Sequence, residues 1–138
     1  MPIQEAYRAS ALSRVRELRE LLKPKVEELL KDIDPEDLEF GTKLELKDEE
    51  LSSLWKEAVE ENNYMEVVYT EIMEHHDGAY LKATFRNTLE DCRAERYVSV
   101  RSSGRVEVSH ALFLEFDGLV VRVERIEGGV FSLFVKAQ

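Results

Sequence analysis

Four side chains able to do chemistry fall on one face of the C-terminal strands if each turn there has two central residues. They are Tyr97, His110, Arg125 and Ser132. The turns are Ser103-Gly104, Asp117-Gly118 and Gly128-Gly129, and each pair is a hairpin signal. Counting back sets Tyr97 opposite His110, His110 opposite Arg125, and Arg125 opposite Ser132. The same count sets Leu112 opposite Val123, Val123 opposite Phe134, Leu114 opposite Val121, and Phe116 opposite Leu119. Polar groups on such an apolar face must be hydrogen-bonded, ligated or wet. An arginine fork can hold a carboxylate or phosphate. An imidazole exchanges protons near neutral pH. Pockets are built from apolar walls with a few convergent polar groups. The row therefore predicts a ligand site for a small anionic or amphipathic molecule. The competing expectation is that it marks where helices stop covering the sheet, leaving Arg125 in water.

Other chemistry-bearing residues carry less. Glu74-His75-His76-Asp77 offers metal-binding side chains, but a tight turn would splay them, and no second cluster stands at a diagnostic spacing. Asp32-Ile33-Asp34-Pro35-Glu36 begins like a calcium loop. It then fails where Asp37 replaces glycine and Lys43 replaces glutamate. Cys92, the only cysteine, excludes an internal disulfide and reads as a buried or idle thiol. No metal and no cofactor is expected.

The elements that must position these groups follow from periodicity. Leu12, Val15, Leu18, Leu22, Val26, Leu29, Leu30 and Ile33 recur at steps of three and four, predicting a long helix over 3–31. Pro24 should kink or restart it. A coiled-coil register breaks at Lys25, so packing against the sheet is the better expectation. Asp34-Pro35 predicts a short capped turn near 36–39, ended by Gly41. Leu44 and Leu46 suggest a brief extended piece. Asp48 is expected to cap a second helix that buries Leu51, Leu54, Trp55, Ala58 and Val59 and stops at Asn62-Asn63. Residues 64–74 fit helix or strand, and Asp77-Gly78 favours a strand and hairpin. Asn87-Thr88-Leu89-Glu90 has the shape of a capping box and suggests one helical turn. Four strands are expected near 95–102, 105–116, 119–127 and 130–136.

The sum is one α+β domain over 1–138: a helical half, 1–63, and an antiparallel, meander-like twisted sheet of about six strands, 64–138. Its order of helix, helix, hairpin, short helix and four-stranded meander resembles the cone-shaped superfamily that includes nuclear transport factor two, scytalone dehydratase and ketosteroid isomerase. The resemblance is of element order only. No residue motif of those proteins is present, so no catalytic residue is carried over. The other arrangement packs both helices across an open meander.

The chain carries a formal charge of −10, and residues 32–61 hold most of it. Twelve acidic and three basic residues there sum to −9. Nucleic acid and anionic membranes require a basic excess, which this chain lacks. The acidic segment reads as a solvated surface or as a docking patch for a basic protein partner. The start of the chain has no signal-peptide pattern, and no apolar run is long enough to span a bilayer. A cytoplasmic protein is expected. Only five residues are Asn or Gln against 48 charged ones, a composition like that reported for thermophiles.

Two functions fit. One is a non-catalytic binding or adaptor domain, expected to form a homo-oligomer. The other is a small-molecule isomerase, dehydratase or hydrolase with His110 as general base and Tyr97 and Arg125 as donors to developing negative charge.

Overall fold

The structure is a computed structural model and describes residues 3–76 and 78–138, apart from the side chains of Ile3, Gln4 and His75. Helix α1 spans Ile3–Leu30, α2 Pro35–Phe40 and α3 Leu51–Trp55, which runs into a π turn at Lys56–Glu60. The strands are β1 Thr42–Lys47, β2 Glu66–His75, β3 Gly78–Thr88, β4 Cys92–Arg101, β5 Val106–Phe116, β6 Leu119–Glu127 and β7 Val130–Ala137. They form one open antiparallel sheet in the order β1-β7-β6-β5-β4-β3-β2. The described strands number seven because the extended piece around Leu44 and Leu46 pairs with β7 and joins the sheet.

The helix starts and stops follow their caps. The Asp34 side chain accepts from the Glu36 N–H at 3.0 Å and opens α2. Gly41 ends α2 at φ 92, a conformation that costs glycine little. A Cβ there would lie 2.4 Å from the Phe134 ring. Asp48 accepts from the Glu50 N–H at 3.1 Å, but a turn intervenes and α3 begins only at Leu51. Helix α1 continues through Pro24 and is not restarted there. Residues 66–75 are strand, and β2 pairs with β3 from Glu66 to His75. The turn residue Asp77 lies outside the described residues. The helical turn expected at 87–90 is absent. Asn87 and Thr88 end β3, and the Leu89 N–H closes onto the Cys92 carbonyl at 2.7 Å.

The core lies between the helices and one end of the sheet. Val15, Leu18, Leu22 and Val26 of α1 are fully buried, as the stripe predicts. They meet Leu51, Trp55, Ala58 and Val59 from α3 and the π turn, and Cys92, Ala94, Leu112, Leu114, Val121, Val123, Phe131, Leu133 and Val135 from the sheet. Trp55 and Phe131 pack edge to face, 5.3 Å between centroids.

Only part of the helix-side face is covered. Toward the tips of the β2–β3 and β4–β5 hairpins, two cross-strand rows continue on that face without helices above them. By register they are Thr70–Ala83–Val98–Val108 and Ile72–Leu81–Val100–Val106. None of the eight is charged. Ile72 is 76 % exposed, Val106 57 %, Val108 52 % and Leu81 43 %.

Candidate functional site

Two of the four row residues come together and two do not. Leu112 faces Val123, Leu114 faces Val121 and Phe116 faces Leu119, as expected. His110 and Arg125 lie one step beyond, on the helix side, and line one cleft of about 300 Å³ with Trp55, Glu60 and Val108. Tyr97 faces Ser109, not His110. The β4–β5 loop has three residues, Ser102-Ser103-Gly104, closed by the Arg101 N–H on the Arg105 carbonyl at 2.8 Å. Gly104 at φ 90 supplies the left-handed position such a loop needs. The added residue slips β4 by one, so Arg96 takes the place opposite His110. Arg125 faces Phe131, not Ser132, because a bulge between Arg125 and Glu127 shifts β7 by one. Val123 accordingly faces Leu133 and not Phe134, and Ser132 sits opposite Glu124.

Tyr97 is thus on the outer face, where its hydroxyl donates to Glu95. Burial and this bond push the phenol up to about 12. Arg86 and Arg93 also bond Glu95, at 2.7 and 3.1 Å. Burial would raise the Glu95 carboxyl, but the bonds from Tyr97, Arg86 and Arg93 outweigh it and hold it below the usual range. Ser132 lies in a separate hollow with Lys43, Arg122, Glu124 and Phe134.

On the helix side the polar groups close on one another. Arg125 grips Glu60, with Nε and Nη2 donating to Oε1 at 3.0 and 2.8 Å and Nη2 to Oε2 at 3.0 Å. Arg96 Nη2 donates to the carbonyls of Val59, Glu60 and Asn62 at 3.4, 3.0 and 3.0 Å. Those are orphan acceptors at the end of a helix, and a cation there also opposes the helix dipole. Arg96 Nε donates to His110 Nε2 at 3.1 Å. That nitrogen is therefore unprotonated, and neutral His110 carries its proton on Nδ1. Burial, then the neighbouring Arg96 charge, lowers the His110 pKa below 6.5. Asn62 completes the bracket, donating to the Ala11 and Ala58 carbonyls at 3.3 and 2.9 Å.

The arrangement is a clamp at the border between covered and uncovered sheet. Both guanidiniums are committed within the fold, so neither offers a free fork to an anion. The His110 lone pair is likewise engaged. Tyr97, His110 and Arg125 do not converge on one point, which removes the geometry that the acid–base scheme requires. Among the described residues, the buried Trp55 indole N–H has no partner, and no group of three or more candidate metal ligands gathers. Cys92 is buried in the core, and burial pushes its thiol up to about 12.

Sequence reasoning missed Arg96, Glu60 and Asn62. The Arg96 position was readable from Ser102-Ser103-Gly104 as a three-residue loop with glycine last. Glu60 had no local signal, because its partner lies 65 residues away.

The acidic segment is not one uniform patch. Asp48 meets Lys25 at 2.5 Å, Glu57 meets Arg14 at 3.8 Å, and Glu60 is held by Arg125. Glu36, Asp37 and Glu39 of α2 remain exposed beside Phe40.

Fold and site define an α+β domain with a half-covered antiparallel sheet. Comparison with family models, curated proteins and solved structures finds no match. Among the described residues, no helix is long and apolar enough to cross a membrane.

Proposed function

We propose that this chain is a non-catalytic binding or adaptor domain that docks another polypeptide on the uncovered half of its helix-side sheet face. The observation that carries the reading is the pair of uncharged rows through Leu81 and Val108, with Ile72, Leu81, Val106 and Val108 between 43 and 76 % exposed. Contiguous apolar surface of this kind marks interaction sites. The clamp of Arg96, His110, Arg125 and Glu60 supports the same reading. It gives the covered half a fixed, polar boundary, so the bare half is a defined surface and not a frayed core. A second copy of the chain is one occupant such a face could take, and the expected self-association would use it.

Panning a display library of extended peptides against the purified protein tests this. Binders are expected to be lost on Leu81→Lys and on Val108→Lys and kept on Phe134→Lys, whose side chain is half-exposed elsewhere. Binders indifferent to Leu81→Lys and Val108→Lys would remove the proposal's basis.

A further inference from the structure

The docking face ends at a strand whose outer edge is open. Among the described residues β2 pairs with β3 alone, so the backbone groups on its other side have no strand partner there. Apart from Glu71 and Met73, which are half-buried, and His75, whose side chain is outside the described ones, every β2 side chain is exposed. The strand bears Glu66, Glu71 and Glu74 and no lysine or arginine.

Two devices on β2 restrict what can pair with it. A bulge at Val68 breaks the register between Val67 and Tyr69, leaving regular strand from Tyr69 onward. The glutamates do the rest. Bulges and edge charges are known defences against indiscriminate pairing. Two β2 strands from two copies would gather six glutamates, three from each, on one short ladder. Like charges across a ladder are destabilising, so self-pairing at this edge is disfavoured. A strand of opposite charge meets no such barrier.

We infer that β2 accepts an eighth strand from a basic partner, an extended segment in which apolar β-branched side chains alternate with lysine or arginine. The inference rests on the docking reading and names its occupant. Alternation follows from the pleat. Beside Thr70 and Ile72, the incoming side chains continue the two uncharged rows across the helix-side face. Beside Tyr69, Glu71 and Met73, they lie on the outer face. There the hydrogen bond between Tyr69 and Glu71, and then the Glu71 charge, raise the Tyr69 pKa. Glu74 and Glu66 flank the stretch. Glu66 meets Arg8 in an exposed 3.9 Å contact, a pair worth little in water, and stands opposite Arg86, which bonds Glu95 at 2.7 Å. Ladder hydrogen bonds supply affinity, and the alternate side chains supply selection. The chain's charge of −10 speeds encounter with a basic segment.

The test uses the full chain and three labelled peptides of about eight residues, a usual strand length. One alternates valine with lysine. The second replaces lysine with glutamate. The third is the lysine peptide with alternate backbone nitrogens methylated, which keeps the charge and deletes ladder donors. Fluorescence anisotropy should show binding of the first, none of the second, and at least about tenfold weaker binding of the third. The protein variant Glu66→Lys with Glu71→Lys should weaken the first by about tenfold. Equal binding of the methylated peptide, or indifference to the two glutamate changes, overturns strand addition. Loss on Leu81→Lys would then leave the docking reading standing. If the peptide does not bind but the protein forms a dimer that Leu81→Lys abolishes, a second copy is the occupant and the inference is wrong. Neither peptide binding nor association defeats both.

Discussion

β1 and β2 close the same sheet at opposite edges and are built in opposite ways. β1 has six residues, in which exposed Lys43, Glu45 and Lys47 alternate with half-buried Leu44 and buried Leu46. It has one dry face and one charged face, and mixed charge blunts it. β2 has ten residues and no described side chain that is buried. A strand lacking a core contact adds little to stability through burial, so its exposed apolar residues call for a role outside the fold. On the proposed docking role, the sheet separates two tasks along its width: packing at the β1 end and recognition at the β2 end.

Substitutions that cross this division should sharpen it. Trp55→Ala removes a buried ring that packs on Phe131, and should cost about 3–5 kcal/mol in denaturant unfolding. Leu81→Ala, on the bare face, should cost less than about 1 kcal/mol. Equal costs would mean that the β2 end is core after all.

The clamp comes next in size. Arg96→Ala strands the carbonyls of Val59, Glu60 and Asn62 and frees His110 Nε2. The expected loss is about 2–3 kcal/mol by equilibrium unfolding. Arg96→Lys should recover only part of it, since one ammonium cannot both reach the carbonyls and hold the imidazole.

A smaller effect is a pH dependence centred on His110. Its folded pKa is lowered by burial and by Arg96, with Arg125 also opposing its charge and Glu60 favouring it. As pH falls through about 6.5, the unfolded chain takes up a proton before the folded one does. Stability is therefore full above that value and declines toward the lowered folded pKa. His110→Gln should flatten this window. Losses at more acidic pH would remain, because the lowered carboxyls of Asp48, paired with Lys25, and Glu95 titrate there.

The smallest expected change is Ile72→Lys, on the edge strand. It should alter stability by less than about 1 kcal/mol while impairing capture of a docked strand. A large stability loss would place Ile72 in the core.

Much of the architecture was legible because it rests on local physics. The stripe from Val15 to Val26 needs only the helical period, and Asp117-Gly118 needs only two residues at positive φ, found at 51° and 74°. The row through Tyr97 and Ser132 failed for an equally local reason. One extra loop residue at Ser102 and one bulge at Ile126 each shift a ladder by one position, and a shift of one turns a side chain to the other face. His110 and Arg125 survived because the β5–β6 turn has two residues as assumed. What no local rule reaches is which helix end lands on the row. That Glu60 meets Arg125, and that the π turn offers its carbonyls to Arg96, is set by how the second helical segment seats on the sheet. Burial asymmetry along β2 was hidden too, because Met65, Val68, Tyr69 and Ile72 also suit a helix.

Residue-resolved amide hydrogen exchange, with and without the alternating valine–lysine peptide, measures the division between the two edges most directly. New protection should appear at the outward amides between Tyr69 and Glu74, while Thr42–Lys47 stays as it was. Protection arising along β1 or on α2, with β2 unchanged, would contradict the account.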